Sequence, residues 1–119
     1  MVKNGMRPVH PGEVLLEEFM KASDPGINAN TLAKALEVPA NRITAIIKGQ
    51  RGITGDTAVR LAAFFNTTAE FWMNLQKTYE LRLAERALPE KIRKQIEEKR
   101  SFLVSAQETI SPENATSGF

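Results

Sequence analysis

The stretch that decides the fold is Leu32 to Thr54, LAKALEVPANRITAIIKGQRGIT. Two short helical periodicities meet there at Glu37-Val38-Pro39. Leu32, Ala33 and Leu36 share one face of a helix that begins near Asn28 or Ala29, with an asparagine cap, and ends at about Leu36. Ile43, Ile46 and Ile47 form the buried side of a second helix, Ala40 to Lys48, and Gly49 supplies its stop. A helix-turn-helix needs a small residue where its helices cross, apolar residues that hold their angle, and short polar or basic residues on the outer face of the second helix. Ala33 is the small residue, Leu32, Leu36, Val38, Ile43 and Ile46 are the internal contacts, and Ala40, Asn41, Thr44, Ala45 and Lys48 form the outer face. Glu37 departs from the usual pattern, because a glycine is frequent where the turn takes a positive φ.

On the N-terminal side, Pro11 suits a first helical position and Glu13, Glu17 and Glu18 follow near the positive end of the helix dipole. The spacing predicts a helix from Pro11 to about Lys21 with Val14, Leu15, Leu16 and Phe19 as its apolar stripe, ended by Asp24-Pro25-Gly26. On the C-terminal side, Thr54 caps a fourth helix whose Ala58, Leu61, Ala62, Phe64 and Phe65 predict thorough burial. Thr67 and Glu70 stand at capping-box spacing before a long fifth helix lined by Phe71, Trp72, Leu75, Tyr79, Leu81 and Leu83. That is more apolar surface than one small domain buries, which implies a helix or partner chain alongside. Pro89 opens a charged sixth helix to about Arg100, and Ser101 to Phe119, rich in Ser, Thr, Asn, Gly and Pro, reads as a flexible tail. The chain is therefore all-α: an extension over 1–10, a helix-turn-helix domain over 11–88, a C-terminal helix over 89–100 and a disordered tail over 101–119.

With 119 residues there is material for one core. No apolar run approaches the roughly 20 residues that span a bilayer, and residues 1–11 lack the apolar stretch of a secretory signal, so a cytoplasmic protein without membrane attachment is expected. The absence of cysteine removes disulfides, thiolate metal sites and cysteine nucleophiles. The net charge of +2 is uninformative, but its distribution is not. Residues 38–60 carry Arg42, Lys48, Arg51 and Arg60 against Asp56 alone, whereas 61–88 and 89–119 each cancel.

A basic segment centred on a helix-turn-helix points to double-stranded DNA. Asn41 and Thr44 suit hydrogen bonds to base edges, Ala40 and Ala45 allow close approach and contact with a thymine methyl, and Lys48 and Arg51 reach phosphates. Arg42 contacts either a base or a phosphate, and Asn30, near the start of the second helix, is a further phosphate donor. The plainer alternative for these residues is a helical hairpin with a solvated, weakly basic face. Catalysis finds no support. His10 is the only histidine and sits at the edge of the extension, so no histidine triad or histidine-rich metal site assembles. Glu17 and Glu18 are adjacent and point apart on a helix, and Gly49 and Gly52 lack the Lys-Ser/Thr pair of a phosphate loop. No enzyme activity, metal or cofactor is expected.

Three ordered blocks carry a resemblance across residues 6 to about 88: HPGEVLLEEFM at His10 to Met20, the Leu32–Thr54 stretch, and TAVRLAAFFNTTAEFWMNLQKTYEL at Thr57 to Leu81. Together they resemble HigA-type antitoxins, a branch of the lambda-repressor-like DNA-binding family. The resemblance implies a five-helix domain that dimerises, represses its own operon at a palindromic operator and neutralises a RelE-like ribonuclease toxin. It makes Ala40 to Lys48 the recognition helix, with Ala40, Asn41, Thr44, Ala45 and Lys48 in the groove and Arg51 on the DNA backbone. It also marks Phe71-Trp72-Met73-Asn74-Leu75-Gln76 as a family hallmark, whose aromatic pair reads first as core. A stand-alone repressor without a toxin is the alternative that the same helices allow.

Overall fold

A computed structural model describes residues 7–106, and every regular element among them is helical. Residues 1–6 of the expected extension and 107–119 of the expected tail lie outside the described residues. The elements are α1 (Pro11–Val14), which runs on as a π-helical segment over Leu15–Met20, then α2 (Ala29–Leu36), α3 (Ala40–Ile47), α4 (Gly55–Phe65), α5 (Ala69–Ala87) and α6 (Glu90–Ala106). The chain divides between Leu83 and Ala84 into two compact units, five residues before the boundary expected at 88.

In the first unit, local chemistry sets most helix ends. Asn28 Oδ1 accepts the Thr31 N–H at 2.8 Å, and Thr54 Oγ1 accepts the Thr57 N–H at 3.5 Å, so α2 and α4 begin on the side chains expected of them. At the other ends, Glu37, Gly49 and Asn66 all take left-handed conformations. The Val38 N–H reaches the Ala33 carbonyl at 3.0 Å and the Gln50 N–H reaches the Ala45 carbonyl at 2.9 Å, the six-to-one bonds of Schellman stops. Glu37 thus adopts the positive φ for which a glycine is the ordinary residue.

Three expectations need correction here. Past Val14 the first helix widens, with the Lys21 N–H bonded to the Leu16 carbonyl five residues back at 2.9 Å. A five-residue repeat brings Leu15 and Met20 onto one buried face, so Met20 joins the core beyond the expected stripe, of which Leu15 is buried, Leu16 and Phe19 pack against the core and Val14 is half-buried. The start of α5 is capped by Thr68, whose Oγ1 accepts the Phe71 N–H at 3.0 Å, and not by Thr67. Thr67 Oγ1 instead accepts the Trp72 indole N–H at 2.8 Å, a bond across the first turn that the capping-box spacing does not register. Finally, α4 is less buried than expected, since Phe64 and Val59 are exposed while Thr57, Ala58 and Leu61 face inward.

The core of this unit is Leu15, Met20, Leu32, Ala33, Leu36, Ile43, Ile46, Ile53, Ala58, Leu61 and Trp72. Phe19 packs against both Phe65 and Trp72, with ring centroids 5.1 and 4.8 Å apart, so the aromatic pair of the hallmark segment is core as expected. Leu81 and Leu83 remain exposed, as the surplus of apolar positions on α5 implied.

The second unit holds the last turn of α5 and α6. Arg93 pairs with Glu90 and with Glu97, the latter at 2.8 Å, along one face of α6. This helix continues to Ala106 and takes in Ser101 to Ala106, which the sequence reading assigned to the tail. No glycine or proline stands between Pro89 and Pro112, so nothing local stops the helix at Arg100.

Candidate nucleic-acid interface

The motif stands as the spacing implied. Ala33 is buried where α2 meets α3, and Ile43 and Ile46 are fully buried beneath α3. An α-helix that buries positions 43 and 46 must turn 41, 44, 45 and 48 outward, since they recur at three- and four-residue steps. Asn41 and Lys48 are indeed exposed, as is Ala40, while Thr44 and Ala45 are half-buried at the edge of the same face. Thr44 Oγ1 donates back to the Ala40 carbonyl at 3.2 Å, which leaves its methyl group and oxygen lone pairs to meet a ligand. Asn30 is exposed at the second position of α2, next to the Asn28 cap.

The basic residues of this segment divide into two kinds. Lys48 and Arg51 are exposed and their side chains make no ion pair among the described residues. Arg42 and Arg60 both bind Asp56, at 2.7 and 3.1 Å. Hydrogen bonds from Arg42 first and Arg60 second hold the Asp56 carboxyl below the usual carboxylate range, so it stays ionised at neutral pH. The Arg42 side chain is only 23% exposed. Of the residues singled out from sequence, Ala40, Asn41, Thr44, Ala45 and Lys48 therefore gather on one face, with Arg51 in the loop that follows, whereas Arg42 turns toward α4.

Two residues that sequence reasoning passed over hold that loop. Gln76 on α5 is buried, and its Oε1 accepts the Ile53 N–H at 2.8 Å while its Nε2 donates to Glu80 at 2.7 Å. His10, read as a surface residue of the extension, accepts the Gly12 N–H on Nδ1 at 2.9 Å and so caps α1. Its ring also packs edge-on against Tyr79 at 4.8 Å and lies beside Gly49 at the start of that loop. His10 stands before Pro11 at the head of the first resembling block and Gln76 closes the hallmark segment, but nothing local names their partners, which for Gln76 is 23 residues away.

Comparison with known proteins agrees with this geometry. A helix-turn-helix family model matches residues 24–72, which contain α2, α3, α4 and the start of α5. Virulence-associated protein I of Dichelobacter nodosus is 49% identical over 83 residues, 70% of this chain and 75% of that protein. The crystal structure of PA4674 from Pseudomonas aeruginosa in complex with its operator DNA superposes with a TM-score of 0.68 at 48% identity, covering 74% of this chain and 92% of that one. The antitoxin HigA of Pseudomonas aeruginosa, solved with the higBA promoter, superposes with a TM-score of 0.67 at 42% identity, covering 89% of this chain and 98% of that one.

Proposed function

Because the chain belongs to the HigA-type antitoxins of the helix-turn-helix class, we propose that it binds double-stranded DNA at a palindromic operator, represses its own operon and neutralises a RelE-like ribonuclease toxin in the cytoplasm. The observation that carries the DNA reading is the outward row of exposed Asn41 and Lys48 with half-buried Thr44 and Ala45, on a helix whose other side is locked into the core, with exposed Arg51 beyond it. Its activity is binding, and no step of catalysis is assigned to it. Asn41 and Thr44 hydrogen-bond base edges, Ala40 and Ala45 let the helix approach them, and Lys48, Arg51 and Asn30 hold phosphates. A palindrome calls for a two-fold protein with recognition helices about 34 Å apart. We assign the dimer contact to α5 and α6, where Leu81, Leu83, Ile92, Ile96 and Leu103 are exposed and the last three share a face of α6.

Fluorescence anisotropy of the purified chain against its own upstream DNA and a scrambled duplex, at two salt concentrations, tests the first part. Selective and steeply salt-dependent binding is expected, because phosphate contacts release counterions. Equal affinity for both duplexes at either salt overturns it. Co-purification with the product of the adjacent gene tests the toxin partnership, and an isolated gene with selective DNA binding favours a stand-alone repressor. A monomer by light scattering that still occupies the operator tightly removes the dimer.

A further inference from the structure

Asp56 is the second residue of α4, and one carboxylate oxygen takes two hydrogen bonds from different helices. Its Oδ2 accepts from Arg42 Nη1 on α3 at 2.7 Å and from Arg60 Nε, one turn along α4, at 3.1 Å. Arg60 Nη1 in turn donates to the Leu36 carbonyl at 2.7 Å and to the Glu37 carbonyl at 3.4 Å, where α2 ends in its left-handed turn. One chain of ionic hydrogen bonds therefore joins the recognition helix, the turn that precedes it and the helix that follows it. The Arg42 guanidinium is mostly covered and its Nε is buried without a hydrogen-bond partner, so this side chain lies along the protein and does not project beside Asn41.

We propose that Arg42 and Asp56 are a positioning pair that sets the rotation of α3 about its own axis, so that operator selectivity depends on a carboxylate and a guanidinium that do not read DNA. The inference rests on the DNA-binding function proposed above. Its physical basis is the difference between the two kinds of contact beneath α3. Ile43 and Ile46 hold the eight-residue helix by burial, which is non-directional and tolerates small rotations. A charge-assisted hydrogen bond is short and directional, and fixes the angle that burial leaves loose. Base contacts require that angle, because side chains must be held to within roughly 0.5 Å and 10–20° of their productive geometry. Phosphate contacts through long, flexible Lys48 and Arg51 are far more forgiving.

The test compares the wild-type chain, Arg42→Gln, Asp56→Asn and the double variant on upstream and scrambled duplexes at two salt concentrations, with thermal melts to establish that each is folded. Each single variant is expected to lower the ratio of upstream to scrambled affinity about tenfold, within the worth of one base contact, and the double variant to lower it no further. Arg42→Gln should leave the salt slope unchanged, and Asp56→Glu should restore part of the ratio. If Arg42→Gln instead weakens both duplexes alike and reduces the salt slope by about one per half-site, Arg42 is a phosphate contact and the proposal falls. If Arg42→Gln lowers the ratio while Asp56→Asn leaves it intact, Arg42 reads a base and the proposal falls equally. Should Arg42→Gln prove unfolded, Arg42→Lys, which keeps the charge but loses the guanidinium geometry, takes its place with the same expected loss of ratio. A wild-type chain with no preference for upstream DNA overturns the DNA reading itself and this inference with it, a result distinct from any difference among variants.

Discussion

Gly12 lies so close to Ile46 that a Cβ built on it would stand 1.8 Å from the Ile46 carbonyl oxygen and 2.6 Å from the carbonyl carbon. The first turn of α1 is thereby seated on the C-terminal end of α3, immediately before Lys48. The contact is backbone against backbone, so no side-chain rotation relieves an added methyl. Gly12→Ala should cost about 3 kcal/mol, the upper end of ordinary overpacking, and lower DNA affinity by shifting the end of the recognition helix. Urea denaturation checks it, and a midpoint within error of wild type would show that α1 has room to move.

The left-handed Glu37 leads to a change in the opposite direction. A non-glycine residue in this conformation costs about 1–2 kcal/mol, and glycine's extra freedom in the unfolded chain gives back about 0.5–1 kcal/mol of that difference. The Glu37 side chain is exposed, so little packing is lost with it. Glu37→Gly is expected to stabilise the chain by about 0.5–1 kcal/mol and to leave DNA selectivity unaltered, as denaturant titration and anisotropy would report. Destabilisation would mean that the bonds from Arg60 to this turn already remove the strain.

Acid should loosen the junction between α1, the 49–53 loop and α5. Burial pushes the His10 pKa below its ordinary value, against the smaller opposing effects of the Arg51 backbone and the nearby Glu13 carboxylate. The fold therefore favours neutral His10, whose Nδ1 accepts from Gly12 and whose ring packs on Tyr79. That contribution is complete above the unfolded value of about 6.5 and is lost as pH falls through the lowered folded value. Glu13 and Asp56, both held below the carboxylate range, titrate at still lower pH and do not confuse this window. Thermal melts from pH 8 to pH 5 should show a decline for wild type that His10→Asn, which keeps a cap but does not titrate, makes shallower. Parallel declines would remove His10 from the account.

On DNA, Asn41 and Lys48 should behave differently although they share a face. Asn41→Ala is expected to cost about 1–3 kcal/mol on the upstream site and little on scrambled duplex, as befits a base reader. Lys48→Ala should weaken both duplexes alike and reduce the salt slope, as befits a phosphate contact. Anisotropy at two salt concentrations separates them, and equal losses from Asn41→Ala on both duplexes would remove it from the specificity residues.

The motif was legible in the amino-acid sequence because its determinants are local. Asn28 and Thr54 cap helices through bonds to residues three positions on, and Gly49 and Glu37 end them through bonds that span five. Ile43 and Ile46 define the buried side of α3, and helical geometry alone then turns Asn41, Thr44, Ala45 and Lys48 outward. Asn66, in the left-handed stop of α4, carried a signal of the same kind that the sequence reading did not use.

What only the tertiary structure decided are the partners of residues whose chemistry admits several. Arg42 has a carboxylate 14 residues away, Gln76 a backbone N–H 23 residues away, and Thr67 an indole N–H in place of a helix start. Each of these side chains is competent for a ligand, a cap or an internal bond, and periodicity does not distinguish among them. Folding does, because a polar group brought out of water must take the donor or acceptor that packing places beside it. By that route, the caps at Asn28 and Thr54, the stop at Gly49 and the outward face of α3 belong to the sequence, while the direction in which Arg42 points belongs to the fold.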